Sequence, residues 1–182
     1  MKEKEVKSKS ARNISMYAVY VALAFIFSYI ESLFPISVGI PGVKPGFANI
    51  VTVYIIYTSG KPSSVFAVTL LRTVLLACTF GNLSTLIYSV CGGLLSASVM
   101  LILYKTKLFS VFGVSIAGGV AHNAGQLAVA ALILDTNELI YYFPILLITG
   151  MIAGFAVGYI ANICIKRIRR PSGLSSSTSF DK

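Results

Sequence analysis

Long apolar runs alternate with short polar or glycine- and proline-rich breaks along most of the chain. A hydrocarbon core about 30 Å thick requires roughly 20 helical residues. The runs predict transmembrane helices at about residues 14–34, 47–59, 64–80, 83–104, 109–134 and 139–165. The second run is short, because at about 1.5 Å per residue it covers only about 20 Å. The pattern therefore predicts an all-α, polytopic membrane protein with a six-transmembrane-helix bundle.

The break before the second run has an unusual composition. Residues 35–46 read PISVGIPGVKPG, with three prolines and three glycines. Proline and glycine at this density exclude regular secondary structure. We expect an irregular loop there, which leads directly into the short helix.

Composition and charge agree with a membrane protein. Apolar residues make up 56% of the chain and charged residues 12%, against about 25% charged residues in soluble domains. Of the 15 Lys and Arg residues, 13 fall in the two ends and in alternate connections. By the positive-inside rule both termini are cytoplasmic. The basic ends predict attraction to anionic membrane lipid, and no nucleic-acid partner is expected.

These observations divide the chain into three parts. Residues 1–13 form a basic cytoplasmic N-terminus, and residues 14–166 form the six-helix membrane domain. Residues 167–182 form a basic, serine-rich cytoplasmic tail, which we expect to be disordered.

Four ionisable residues lie within or beside the predicted helices. Glu31 is near the end of the first helix, Arg72 is in the middle of the third, and Lys44 is in the loop. His122, the single histidine, is in the fifth helix. An ionisable group at this depth is costly and faces protein or water, so each is a candidate functional residue.

Amide side chains accompany these charges. Asn123 follows His122, and Gln126 lies one turn further, on the face of His122. Asn49 and Asn82 are near helix starts.

Two interpretations of the polar residues are open. In the structural one, Glu31 pairs with Lys44 or Arg72 while the other groups bond between helices. In the functional one, the residues bind a ligand, and the cationic groups suit a carboxylate or phosphate. The candidate ligand-binding residues are Glu31, Lys44, Asn49, Arg72, Asn82, His122, Asn123 and Gln126.

Small residues form two helical stripes. Gly150, Gly154 and Gly158 form a double GxxxG, and Ala18 and Ala22 form an AxxxA. Such spacing lets helix backbones approach closely, so the glycines predict helix packing.

Several kinds of chemistry find no support in the sequence. It contains no P-loop, HExxH or GxSxG motif. Its six acidic residues form no aspartate-rich motif that would hold Mg²⁺ against a diphosphate. Three cysteines in apolar runs predict buried, reduced thiols. We therefore expect no enzyme activity, no metal site and no cofactor.

Two longer motifs carry a family resemblance. Residues 41–50, PGVKPGFANI, resemble the PGIKLGLANI signature of the Gx transporter family, also labelled heptaprenyl diphosphate synthase component I. Residues 115–126, SIAGGVAHNAGQ, look like the second signature of that family, and residues 92–96, GGLLS, also fit. Pro45 stands where the family usually has leucine, with no expected effect on function. The resemblance covers about residues 14–166.

The family is in turn similar to the S components of energy-coupling factor transporters. Those proteins have six helices, cytoplasmic termini and an AxxxA motif that docks on a coupling subunit. The resemblance implies that Ala18 and Ala22 have this docking role. It also implies a ligand pocket covered by the loop 35–46 and built from helices four to six. His122, Asn123 and Gln126 would line that pocket if their face of the helix turns inward.

The expected function is substrate binding in a small-molecule uptake transporter of the bacterial cell membrane. The implied partners are the substrate, a coupling (T) subunit and ATPase subunits. The family label leaves an alternative open, a membrane accessory component of heptaprenyl diphosphate or menaquinone synthesis with a prenyltransferase as partner. A role in quinone- or flavin-linked electron transfer is a further alternative.

Overall fold

The computed structural model describes residues 2–33, 46–81, 83–135 and 137–169. Within these residues the secondary structure is entirely helical, as predicted, and strands are absent. The helices are α1 Lys2–Leu33, α2 Asn49–Thr58, α3 Pro62–Phe80, α4 Leu83–Thr106, α5 Val111–Leu134 and α6 Phe143–Arg169, with a 3₁₀ helix at Asn137–Tyr142 before α6.

Five of the six α-helices are long and apolar enough to cross a membrane. The exception is α2, whose 10 residues extend only about 15 Å at 1.5 Å per residue. That is about half of a hydrocarbon core of about 30 Å. The predicted six apolar segments are all helices, but α2 by itself spans only part of a bilayer.

Two helix starts differ from the prediction. α1 begins at Lys2 rather than near residue 14, because the Lys-, Glu- and Ala-containing segment before the apolar run also favours helix. α6 begins at Phe143 rather than near residue 139, after the 3₁₀ helix. Pro144 then occupies the first turn of α6, where its missing N–H costs no helical hydrogen bond.

The short helix α2 lies at the centre of the bundle. It contacts α1, α3, α4, α5 and α6, and seven of its 10 residues are buried. Ile55 and Ile56 are fully buried in the main apolar core, which also includes Met100 of α4 and Val157 of α6. A helix surrounded in this way is apolar on all sides, which explains why no single face stands out in its sequence.

Polar and apolar side chains are distributed as in a membrane protein. Large apolar side chains such as Leu71, Leu132 and Ile152 are exposed on the outside of the bundle. Charged and amide side chains, including Arg72 and Gln126, are buried within it. The arrangement suits a lipid surround, since lipid imposes no cost on exposed apolar surface and offers no partners to polar groups.

One prediction about the cysteines is wrong. Cys78 is exposed, while Cys91 and Cys164 are partly buried. Cys78 lies on the outward face of α3, which it shares with the exposed Leu71 and Leu75.

Both ends of the membrane domain lie at one end of the bundle. Met16 and Tyr20 near the start of α1 line a cleft with Ile165 and Ile168 near the end of α6. The hydroxyl of Ser64 at the start of α3 donates a hydrogen bond to Tyr17 of α1 at 2.8 Å. The start of α1, the start of α3 and the end of α6 therefore lie at the same end of the bundle. The basic segments next to them are ones that the charge pattern predicts on one side of the membrane.

The glycine stripe of α6 packs against α5. A Cβ atom on Gly154 would lie 2.7 Å from Ile116 Cα and 2.7 Å from the Ser115 carbonyl oxygen. A Cβ atom on Gly150 would lie 2.9 Å from the carbonyl oxygen of Gly119. The two helix backbones touch here, and only glycine leaves room for this contact.

The tight α5–α6 contact predicts that Gly154→Ala lowers the stability of the detergent-solubilised protein. The new methyl group meets backbone atoms, which cannot rotate away, so we expect a loss of about 1–3 kcal/mol in the free energy of unfolding. Titration with a denaturing detergent measures this loss. Gly113→Ala is the matched control, because its Cβ atom would lie 3.4 Å from the Phe109 side chain, an ordinary contact. Equal stability of the two variants would contradict the close packing.

Candidate functional site

Arg72 is the centre of a buried polar cluster in the middle of the bundle. The side chain is only 5% exposed and lies halfway along α3. Its Nη1 donates a hydrogen bond to Ser28 Oγ of α1 at 3.0 Å. Its Nη2 donates to Asn49 Oδ1 of α2 at 3.5 Å. The guanidinium group therefore joins three helices.

Asn49 extends the cluster to two more helices. Its Nδ2 donates to Ser96 Oγ of α4 at 3.3 Å, and Ser96 Oγ donates to the carbonyl oxygen of Gly118 in α5 at 2.8 Å. Asn49 is the first residue of α2. The N-terminus of α2 thus lies at the level of the middle turns of α4 and α5.

Glu31 connects α1 to the residues that precede α2. A carboxylate oxygen of Glu31 accepts a hydrogen bond from the backbone N–H of Gly46. Its charge also interacts electrostatically with the guanidinium group of Arg72. Glu31 is 6% exposed, so the pair lies in a medium of low dielectric constant, where opposite charges attract strongly.

Gly46 is held against the imidazole ring of His122. Its φ angle is +87°, a backbone conformation that favours glycine. A Cβ atom at this position would lie 2.9 Å from His122 Cδ2 and 3.1 Å from Asn49 Nδ2. Glycine is therefore required here both by the backbone angle and by the close contact.

His122 and Gln126 face the cluster from α5. Gln126 Nε2 lies 3.2 Å from His122 Nε2, across the one-turn spacing noted in the sequence. Nδ1 of His122 lies beside the backbone of Gly92 in α4, with which it interacts. His122 also interacts electrostatically with Arg72.

Gly92 and Gly93 allow α4 to approach both neighbouring helices. A Cβ atom on Gly93 would lie 2.9 Å from Thr69 Cγ2 and 3.6 Å from Arg72 Nη2. A Cβ atom on Gly92 would lie 2.8 Å from Gln126 Cγ. The glycine pair therefore brings α3 and α5 together around the polar residues. We define the central polar cluster as Ser28, Glu31, Gly46, Asn49, Thr69, Arg72, Ser96, His122 and Gln126.

The structure separates the candidate residues into three groups. Five lie in the central polar cluster, namely Glu31, Asn49, Arg72, His122 and Gln126. Asn123 does not join them, because its position on α5 is turned toward α6. Its Nδ2 donates to the Leu146 carbonyl oxygen at 2.8 Å and to Thr149 Oγ1 at 3.4 Å. Lys44 and Asn82 lie outside the described residues, as does most of the loop 35–46.

Sequence reasoning missed three hydroxyl residues of the cluster and the role of Gly46. Ser28 precedes Glu31 by three residues, and Thr69 precedes Arg72 by three. Residues three apart share a helix face, so this spacing was an available signal. Ser96 stands one turn after Gly92-Gly93, in the segment GGLLS.

A separate apolar groove runs along the outside of α1 and α3. It has a volume of about 610 Å³ and is lined by Ile14, Tyr17, Ala18, Val21, Ala22, Phe25, Leu71 and Leu75. Ala18 and Ala22 are both exposed. Their short side chains form part of the floor of the groove, between larger apolar residues.

Metal chemistry finds no support in the part of the chain that the structure describes. No group of three or more His, Cys, Asp or Glu side chains comes together there.

The charge pairing predicts that Arg72→Met is strongly destabilising. The substitution removes the cation that interacts with the buried Glu31 carboxylate, and loss of one partner of a buried charge pair costs about 3–5 kcal/mol. Adding Glu31→Gln removes the opposite charge as well, so the double variant should recover part of the lost stability. Unfolding of the single and double variants in detergent measures the coupling. Strictly additive effects would contradict an interaction between the two groups.

Comparison with known proteins gives one match. The family model described as "Heptaprenyl diphosphate synthase component I" matches residues 20–164, which is most of the chain. Searches of curated proteins and of solved structures found no significant match. The family resemblance seen in the sequence motifs is therefore confirmed. The chain is a helical, membrane-embedded member of the heptaprenyl diphosphate synthase component I family.

Proposed function

We propose that the protein is the substrate-binding membrane subunit of a small-molecule uptake transporter, similar to the S components of energy-coupling factor transporters. The observation that carries the proposal is the central polar cluster, which gathers Arg72 and hydrogen-bonding groups in the middle of an otherwise apolar bundle. In this proposal the cluster binds the substrate. The protein lies in a bacterial cell membrane with both termini in the cytoplasm.

The free-energy cost of burying charged groups in the cluster favours a ligand-binding role over a purely structural one. A buried ion pair is often no more stabilising than apolar residues of similar volume, and ionisable residues in membrane helices mark functional sites by default. Arg72 Nε and Thr69 Oγ1 are among the buried atoms that lack a hydrogen-bond partner in the part of the chain that the structure describes. Unfilled donors and acceptors of this kind suit a site completed by a ligand.

The position of α2 supports the same role. The helix begins at the cluster, at Asn49, and ends at Thr58, which lies in the same cleft as Met16 of α1 and Ile168 of α6. Discontinuous helices that begin in the middle of the membrane recur in transporters, where their ends face the substrate. The irregular residues before α2 are tolerated at such a depth when protein surrounds them.

The apolar groove on α1 and α3 supports a docking role. Small side chains at a helix surface let another membrane helix approach closely. Ala18 and Ala22 provide such positions in this groove, flanked by Val21 and Leu71. We propose that a helix of a coupling subunit docks there and connects the protein to separate ATPase subunits.

The family name supports a second candidate function. It describes a component of heptaprenyl diphosphate synthase, which implies a membrane accessory role beside a soluble prenyltransferase. The chain has only six Asp and Glu residues, so the carboxylates that hold Mg²⁺ on a diphosphate would have to come from the partner.

The first prediction concerns the ligand. Protein extracted in mild detergent from its native membrane should carry a small molecule that mass spectrometry detects. Arg72→Gln should lower its occupancy roughly 10- to 100-fold, the loss expected for a hydrogen bond to a charged group. Ser98→Ala is the matched control, since among the described residues Ser98 donates to Leu94 of its own helix. Absence of any bound small molecule in the wild-type protein would contradict the proposed function.

The second prediction concerns the partner. Ala18→Leu and Ala22→Leu fill the groove and should abolish copurification of the coupling and ATPase subunits while ligand occupancy is retained. Ala67→Leu is the control, because Ala67 is exposed on α3 but does not line the groove. Recovery of a prenyltransferase in place of an ATPase, with a fall in long-chain quinone on gene deletion, would favour the second function instead.

A further inference from the structure

The chemistry of the unfilled groups indicates what the ligand presents to the central polar cluster. This step rests on the proposed function, since it takes the cluster as the substrate site. Arg72 Nε carries a hydrogen and can only donate. It is buried in a side chain that is 5% exposed, and it has no partner among the described residues.

The imidazole of His122 borders the same cluster. Gln126 Nε2 is an amide nitrogen, so at 3.2 Å it donates to His122 Nε2, which must accept. The proton of a neutral imidazole then lies on Nδ1. His122 is 3% exposed, and its Nδ1 faces the backbone of Gly92 on α4, with which it interacts.

The N-terminus of α2 adds partial positive charge at the same place. The helix dipole favours an anion at the N-terminus of α2, although the backbone N–H groups of Asn49 and Ile50 already donate to the carbonyl oxygens of Gly46 and Phe47 at 3.0 Å. Asn49, the first residue of α2, contacts Arg72, and Gly46 packs on His122. An unfilled side-chain donor, Arg72 Nε, and the partial positive charge of a helix N-terminus therefore lie in one cluster, where they favour a hydrogen-bond acceptor.

Glu31 already supplies an acceptor at this site. Its carboxylate accepts the N–H of Gly46 and interacts with Arg72. A bound carboxylate could accept from the same N–H group and interact with the same cation. We infer that Glu31 holds the place of a carboxylate group of the substrate, which displaces it from Arg72 and Gly46 on binding.

The charge balance favours a carboxylate over a phosphate or a cation. Among the described residues the buried charged side chains are Glu31 and Arg72, whose charges cancel. A carboxylate that replaces Glu31 beside Arg72 brings one negative charge to this cation, whereas a phosphate group carries about −1.5 to −2 at neutral pH. A cationic ligand would have to compete with Arg72 for Glu31 and would leave Arg72 Nε unfilled.

The inference predicts the direction in which a Glu31 substitution changes the affinity for a carboxylate. Because Glu31 competes with the substrate carboxylate, Glu31→Gln should strengthen carboxylate binding, by about tenfold for removal of a like charge at close range. If Glu31 instead bound a positive group of the substrate, the same change would weaken binding.

Thermal unfolding of the detergent-solubilised protein tests this with simple probes. Sodium propionate, sodium phosphate and choline chloride are titrated at constant ionic strength, with sodium chloride as the reference salt. Propionate should stabilise the wild type and Thr79→Ala equally, since Thr79 is exposed and bonds its own helix. It should stabilise Glu31→Gln at about tenfold lower concentration.

Removal of the cation completes the test. Glu31→Gln with Arg72→Gln leaves no unpaired buried charge, so the double variant should fold and show no response to propionate. The inference is overturned if propionate has no effect on the wild type, if phosphate or choline is the stronger ligand, if Glu31→Gln weakens the response, or if the double variant keeps it. A copurified substrate without a carboxylate would overturn it too, while leaving the proposed function intact.

Discussion

A guanidinium group in the middle of a membrane helix has to be compensated by the protein, because hydrocarbon offers neither counter-charge nor hydrogen bonds. Arg72 imposes this condition here, and the arrangement of five helices follows from it. Ser28 and Glu31 of α1 and Asn49 of α2 all act on the guanidinium group. Asn49 then connects α2 to α4 and α5. The polar side chains thus fix which faces of the helices meet.

Glycine makes that arrangement sterically possible. Gly92 and Gly93 remove side-chain bulk where α4 passes Thr69 on α3 and Gln126 on α5. Gly46 adopts a positive φ angle beside His122 and so brings a backbone N–H to Glu31. The same small residues that permit close helix packing therefore also shape the candidate binding site. A ligand at this site would meet a rigid surround of backbone and short side chains.

Much of the fold was predictable from the sequence, and the reasons are physical. Apolar runs set the helix count and most helix ends, and Pro62 and Gly81 mark the limits of α3 where the sequence placed breaks. The extension of α1 to Lys2 was not predictable from hydropathy. Hydropathy indicates which residues can lie in the membrane, and a helix can continue beyond them. The central position of α2 was also not predictable. A helix with apolar residues on every side has no sequence pattern that indicates which helices it contacts.

The charged residues of the site were predictable from the sequence. Which neighbouring side chains contact them was less predictable. Glu31 and Arg72 stood out because ionisable residues are rare at this depth, and their interaction is one of the pairings that the sequence left open. Asn123 and His122 are adjacent in sequence, yet a helix turns about 100° between neighbours, so only His122 reaches the cluster. Which of the two faced inward depended on the packing of α5 between α4 and α6, which periodicity alone did not resolve.

The central claim is that the cluster around Arg72 is a substrate site and not merely a structural ion pair. An experimental structure of the protein isolated with its native small molecules tests it most directly. Our account predicts non-protein density in contact with the Arg72 guanidinium group and the Gly46 backbone, with the Glu31 carboxylate moved away. Bound substrate elsewhere in the protein, with the contacts of Glu31 to Gly46 and Arg72 unchanged, would contradict it.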